Sequence, residues 1–101
     1  MPFAPPMPRS FTVVSVRMNA PAAPGVYGIS NAREWIYIGQ TENIQAALME
    51  HLGDAGNSIM NRRPTGFIFE VCDLASRPAR MNRLVQEYKP TCNQLAEGRA
   101  W

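Results

Sequence analysis

The chain has 101 residues, 46% of them hydrophobic and 18% charged, with a formal net charge of +2. That is enough for one small domain and too little for two cores, and the balance is that of a globular chain rather than a disordered one. No apolar run reaches the ~18 residues of a membrane span and no signal-peptide pattern opens the chain, so no membrane partner and a cytoplasmic location are expected.

Two cysteines, Cys72 and Cys92, form neither a CxxC nor a Cys/His cluster. No zinc site is indicated, and free thiols in a reducing compartment are expected. Nine of the ten cations are arginine, and Lys89 is the one lysine. Arginine suits bidentate phosphate contact. A GC-rich coding sequence gives the same bias, so the count alone names no partner.

Residues 1–10 carry Pro2, Pro5, Pro6 and Pro8 and are expected to form an extended, flexible tail. The β-branched run Phe11 to Val16 is expected to be a strand at a sheet edge. Asn19 to Pro24 connects it to the next element. Gly25 to Ser30 and Trp35 to Gly39 are two β-rich runs around the polar break Asn31-Ala32-Arg33-Glu34, which predicts a hairpin. Tyr27 and Tyr37 then fall on neighbouring strands, and the glycines that alternate with them leave space on that face.

Asn43 is the expected N-cap of a helix over Ile44 to Leu52. Ile44, Ala47, Leu48 and His51 share one face of it, and Gly53 is expected to end it. A polar loop, Asp54 to Pro64, leads to a strand over Thr65 to Asp73. On that strand Phe67, Phe69 and Val71 face one way, and Ile68, Glu70 and Cys72 the other. Ser76 is the expected N-cap of a last helix with Pro78 in its first turn. Met81, Leu84, Val85 and Tyr88 form its apolar stripe, and Pro90 stops it. Residues 95–101 are a short C-terminal tail. The expected architecture is α/β: one domain over residues 11–94, a small sandwich with a mixed sheet of three to four strands and two main helices packed on it.

The order Gly25-Val26-Tyr27, Tyr37-Ile38-Gly39, Gln40-Thr41-Glu42-Asn43-Ile44 and Pro90-Thr91-Cys92-Asn93 resembles the GIY-YIG nucleases over residues 24–94, with Val for Ile in the first motif. The resemblance implies Mg²⁺- or Mn²⁺-dependent phosphodiester hydrolysis by four groups. One tyrosine helps deprotonate water and a second positions water or phosphate. An arginine on the first helix stabilises phosphate charge, and one glutamate on a later helix holds the divalent cation.

The tyrosines land on Tyr27 and Tyr37. The arginine position, eight residues after Gly39, is Ala47. The glutamate position, nine before Pro90, is Met81. His51, four after Ala47, stands where several members of the family carry histidine, and is equally a polar residue at a helix end. Gly25, Gly39 and Asn93 are expected to be structural; the resemblance implies that Asn93 buttresses the site, while a structural loop role is the expectation for it here. Glu50 lies near Ala47 but is an acid replacing a base, and Glu87 points about 240° away from Met81. Each charged group lost from a transition state costs on the order of 10²–10³ in rate.

Three functions remain open at this point. A degenerate domain keeps the fold, needs no cofactor, and binds DNA or acts as an interaction module. Its candidate phosphate contacts are Arg33, Arg62, Arg63, Arg80, Arg83 and Lys89. An active DNA endonuclease has rearranged ligands and uses Mg²⁺ or Mn²⁺. A regulatory module binds a protein partner or a second copy of itself, with no role on nucleic acid.

Overall fold

The computed structural model describes residues 8–53, 59, 62–73 and 75–90. The proline tail over 1–7, most of the polar loop, Cys92, Asn93 and the C-terminal tail lie outside the described residues. In chain order the elements are β1 (Arg9–Ser10), α1 (Val13–Asn19), β2 (Gly25–Ser30), β3 (Trp35–Thr41), α2 (Ile44–Gly53), β4 (Gly66–Val71) and α3 (Arg77–Tyr88). The four strands form one sheet in the order β1-β4-β2-β3. None of the helices is long and apolar enough to cross a membrane, among the described residues.

The α/β sandwich is the expected one, but every pairing in its sheet is antiparallel rather than mixed. The reason is topological. β3 and β4 run the same way and are joined through α2, yet β2 lies between them and pairs with both. Two parallel strands therefore never become neighbours.

Phe11 to Val16 is not a strand. Arg9–Ser10 supplies the edge, pairing with Gly66 and Phe67, and the chain then turns into α1. Thr12 is extended and its hydroxyl accepts the Ser15 backbone N–H at 3.2 Å, an N-cap that outweighs the β-branched composition. Burial favours the helix as well. Phe11, Val16 and Ala20 are buried, while Val14 stays 67% exposed; an alternating strand would have put Val14 and Val16 on one face. The Gln45 side chain ties the end of α1 to α2 by donating to the Ala20 carbonyl at 3.1 Å.

The hairpin forms as the pattern predicts. The Asn31 side-chain oxygen accepts the backbone N–H groups of Arg33 and Glu34 at 2.8 and 2.9 Å, which fixes the turn. Ile29 pairs with Tyr37 but Ser30 pairs with Trp35, so Ile36 is the extra residue of a β-bulge. Ile36 and Tyr37 consequently both face α1 and α2, while Trp35 and Ile38 face α3.

Both faces of the sheet are covered. Tyr27, Ile29, Ile36 and Phe67 pack with α1 and α2, and Val26, Ile38 and Ile68 pack with Leu84 of α3. β2, with partners on both edges and helices on both faces, is buried at all six positions.

Asn43 caps α2 as expected, its side-chain oxygen accepting the Ala46 N–H at 3.0 Å. Gly53 belongs to the helix and does not end it in a left-handed turn; no described glycine has positive φ. Ser76 does not cap α3 through its side chain, since its backbone is already helical. Asp73 takes that part, its carboxylate accepting the Ser76 N–H at 2.8 Å. Lys89, left-handed at φ 49, closes α3 just before Pro90 by donating its N–H to the Val85 carbonyl.

Candidate functional site

The site grows out of the pairing of β2 with β3. Tyr27 sits opposite Gly39, and Tyr37 opposite Ile29, so the two tyrosines lie diagonally on the face that α2 covers. The Tyr27 ring crosses directly over Gly39. A Cβ there would lie 2.8 Å from the Tyr27 phenol oxygen and 2.7 Å from Tyr37 Cε2, so the space expected beside the tyrosines is filled by their own rings. Gly25, at the start of β2, is equally confined: a Cβ would strike the Glu70 backbone carbonyl oxygen and Ile44 Cδ1.

The cap at Asn43 sets the phase of α2, and that phase brings His51 onto the tyrosines. The Tyr27 hydroxyl and His51 Nε2 are hydrogen-bonded at 2.9 Å. The three rings pack in a triangle with centroids 6.1 Å apart for Tyr27–Tyr37, 5.7 Å for Tyr27–His51 and 5.5 Å for Tyr37–His51. His51, near the end of α2, thus lies beside both tyrosines.

Beside the rings is an open cleft of about 420 Å³. Tyr27, Tyr37 and His51 form one wall, with Gln40 and Thr41 from β3 and Ala47 and Glu50 from α2 completing it. Ala47 is thus at the cleft, where the resemblance requires arginine. Met81 is not among the lining residues. It packs on the other face of the sheet beside Val26, Ile38, Ile68 and Leu84.

Sequence reasoning passed over Glu50, Gln40 and Thr41 as lining residues. Thr41 was legible from alternation with Tyr37 and Gly39. Glu50 lies one helical turn beyond Ala47, but its place at the cleft depends on how α2 docks.

Burial and neighbouring groups set the electrostatics of the cleft. The Tyr27 phenol is pushed well above its ordinary value, first by burial, then by Tyr37 and the Glu50 carboxylate, and by its hydrogen bond with Tyr37. A phenol in this state keeps its proton at neutral pH and is a poor acceptor of a proton from water. Among the described residues no three His, Cys, Asp or Glu side chains converge to hold a metal ion. With Met81 apolar and on the α3 face, the residues present do not fit the divalent cation as the resemblance places it.

The candidate phosphate contacts separate into two groups. Arg33, Arg62 and Arg63 gather at the hairpin turn, where the Asn31 side chain donates to the Arg62 carbonyl at 2.8 Å and Arg62 meets Glu34 at 3.4 Å. Arg80, Arg83 and Lys89 lie on or just after α3. Arg80 is engaged bidentately by Glu70, with Nε and Nη2 at 2.7 and 2.8 Å from the carboxylate oxygens. Asn93 lies outside the described residues.

No protein-family model and no curated protein matches the sequence. Solved structures do. The magnesium-bound GIY-YIG N-terminal endonuclease domain of UvrC from Thermotoga maritima superposes with a TM-score of 0.65 at 22% identity, over 76% of this chain and 93% of that one. An asparagine-to-alanine point mutant of that domain, bound to its catalytic divalent cation, gives 0.65 and 22% over 76% and 92%. A tyrosine-to-phenylalanine mutant gives 0.65 and 20% over 76% and 93%.

The chain has the GIY-YIG fold.

Within that fold, Tyr27 and Tyr37 occupy the paired strands, and His51 joins them from α2. The positions that the resemblance assigns to arginine and glutamate are Ala47 and Met81.

Proposed function

We propose that this chain is a catalytically silent GIY-YIG-fold domain that binds nucleic acid through the arginines at its hairpin turn. One observation carries the silence: Ala47 stands at the tyrosine–histidine cleft where the resemblance needs arginine, and Met81, at the position it assigns to glutamate, is apolar and packs on the other face of the sheet. Two missing charged groups at about 10²–10³ each remove roughly 10⁴–10⁶ in rate, before the loss of the metal is counted.

Binding away from the cleft is supported by where the free charge lies. Arg33 and Arg63 are exposed at the turn beside Arg62, on a rigid hairpin held by Asn31. Three guanidinium groups at one end of a sheet suit phosphate contact without base readout. Arg80 is a structural residue in this account, committed to Glu70.

Fluorescence anisotropy with duplex, single-stranded and branched DNA across a salt series tests the binding. Affinity is expected to fall steeply with salt, and an Arg33→Ala/Arg63→Ala variant to weaken all sequences alike and reduce the salt slope by about 2. Absence of binding at low salt, or binding indifferent to salt and to these arginines, would leave the protein-interaction reading in its place.

A further inference from the structure

The cleft has more to say than what it has lost. Among the described residues that line it, Glu50 is the one acidic side chain, and none is lysine or arginine. Among the described residues no ion pair neutralises Glu50, which stands exposed on α2. A phosphate group would meet a carboxylate there and no cation. The sign of the site is therefore reversed relative to one that takes a phosphodiester.

We infer that this cleft binds a guanidinium group, held between the Glu50 carboxylate and the Tyr37 ring. This rests on the cleft being catalytically silent, as proposed above. Tyr37 is half-buried at the wall, so its ring has surface to offer. Aromatic faces attract cations, and a guanidinium stacks on them while a carboxylate accepts its N–H groups. Glu50 and Tyr37 both line the cleft of about 420 Å³, and Ala47, also in its lining, adds only a methyl group to it.

A hard divalent cation is the weaker candidate. It needs several oxygen ligands, preferably charged, and the described lining offers one carboxylate. The Tyr27 phenol stays neutral, and its oxygen already bonds His51. A primary ammonium is also less suited, because it is more strongly hydrated and lacks the planar face.

His51 is the one histidine of the chain, so its ring protons are an unambiguous NMR reporter inside the site. Methylguanidinium, n-butylammonium, magnesium chloride and inorganic phosphate would each be titrated into the intact chain at constant ionic strength. Methylguanidinium should shift the His51 signals saturably, with a dissociation constant on the order of millimolar. Glu50→Gln should weaken it about three- to ten-fold, since an exposed carboxylate contributes modestly. Glu42→Gln, exposed and outside the cleft, should leave it unchanged. Ala47→Arg, which places a guanidinium in the cleft from within, should abolish it.

Any of four results would overturn the inference: no saturable shift, a saturable response to phosphate, n-butylammonium or Mg²⁺ binding as tightly with the same dependence on Glu50, or indifference of methylguanidinium to Glu50→Gln in a variant that melts like the native chain. DNA cleavage by the native chain would overturn the silent reading itself, whatever methylguanidinium does. Absence of both cleavage and shift would remove this inference alone.

Discussion

Replacing Gly39 by alanine asks one methyl group to share space with two tyrosine rings. The new Cβ would lie 2.7 Å from Tyr37 Cε2 and 2.8 and 2.9 Å from the Tyr27 phenol oxygen and Cζ. These are ring atoms, and Tyr27 is only 4% exposed, so it cannot swing into solvent without leaving the core. Overpacking of this kind costs about 1–3 kcal/mol. Displacing Tyr27 also breaks its bond to His51, a further ~0.5–1.5 kcal/mol. Loss of glycine's freedom in the unfolded chain returns about 0.4–1 kcal/mol. The net is a destabilisation of roughly 0.5–4 kcal/mol with a centre near ~2 kcal/mol, which lowers the midpoint by about 8–16 °C.

Gly53→Ala is the control. Nothing lies within 4 Å of its Cβ position and its φ is not positive. The same chemical change should there stabilise by about 0.4–1 kcal/mol. Thermal and urea unfolding of both variants, with the His51 ring signals as a local probe, make the comparison. Equal effects of the two substitutions, or an unmoved His51 in Gly39→Ala, would refute the placement of Tyr27 over Gly39.

Other expectations follow from single contacts. Tyr27 should resist ionisation in a spectrophotometric titration, because burial raises it above its ordinary value of 10.0. The unfolded chain then loses that proton first, so the stability from Tyr27 is complete below pH ~10 and is lost as pH rises beyond it; two-state unfolding that strengthens above pH 10 would contradict this. Arg80→Ala should cost about 1–2 kcal/mol, since its bidentate pair with Glu70 is only 16% and 25% exposed. Arg62→Ala, with a single 3.4 Å contact at 40% and 30% exposure, should cost under ~0.5 kcal/mol; equal losses in urea unfolding would sink the distinction. Asn43→Ala should cost about 0.5–2 kcal/mol by removing the cap on Ala46, with Asn43→Ser restoring most of it in the same assay.

The elements legible in the sequence were those whose signal is local. The hairpin needed only two alternating runs and Asn31, and α2 needed only Asn43 and a repeat of apolar residues. α1 was missed because its composition favours a strand, while what decides it is the Thr12 cap and the burial of Phe11 and Val16 against elements far along the chain. The bulge at Ile36 left no mark in composition, yet it sets which way Trp35 and Ile36 face. In the site, counting along the chain found Ala47, Met81 and His51. It could not choose between two roles for His51, because the 2.9 Å bond to Tyr27 depends on how α2 docks on the sheet. The same docking brings Glu50 to the cleft and, with it, the charge that now characterises the site.

The most direct test of the account is incubation of the purified native chain with supercoiled plasmid and branched DNA in Mg²⁺ and in Mn²⁺. The account predicts no cleavage above a protein-free control in either metal. Metal-dependent cleavage by the native chain that disappears in Tyr37→Phe would contradict it, and would show that the cleft still cuts phosphodiester bonds with Ala47 and Met81 in place.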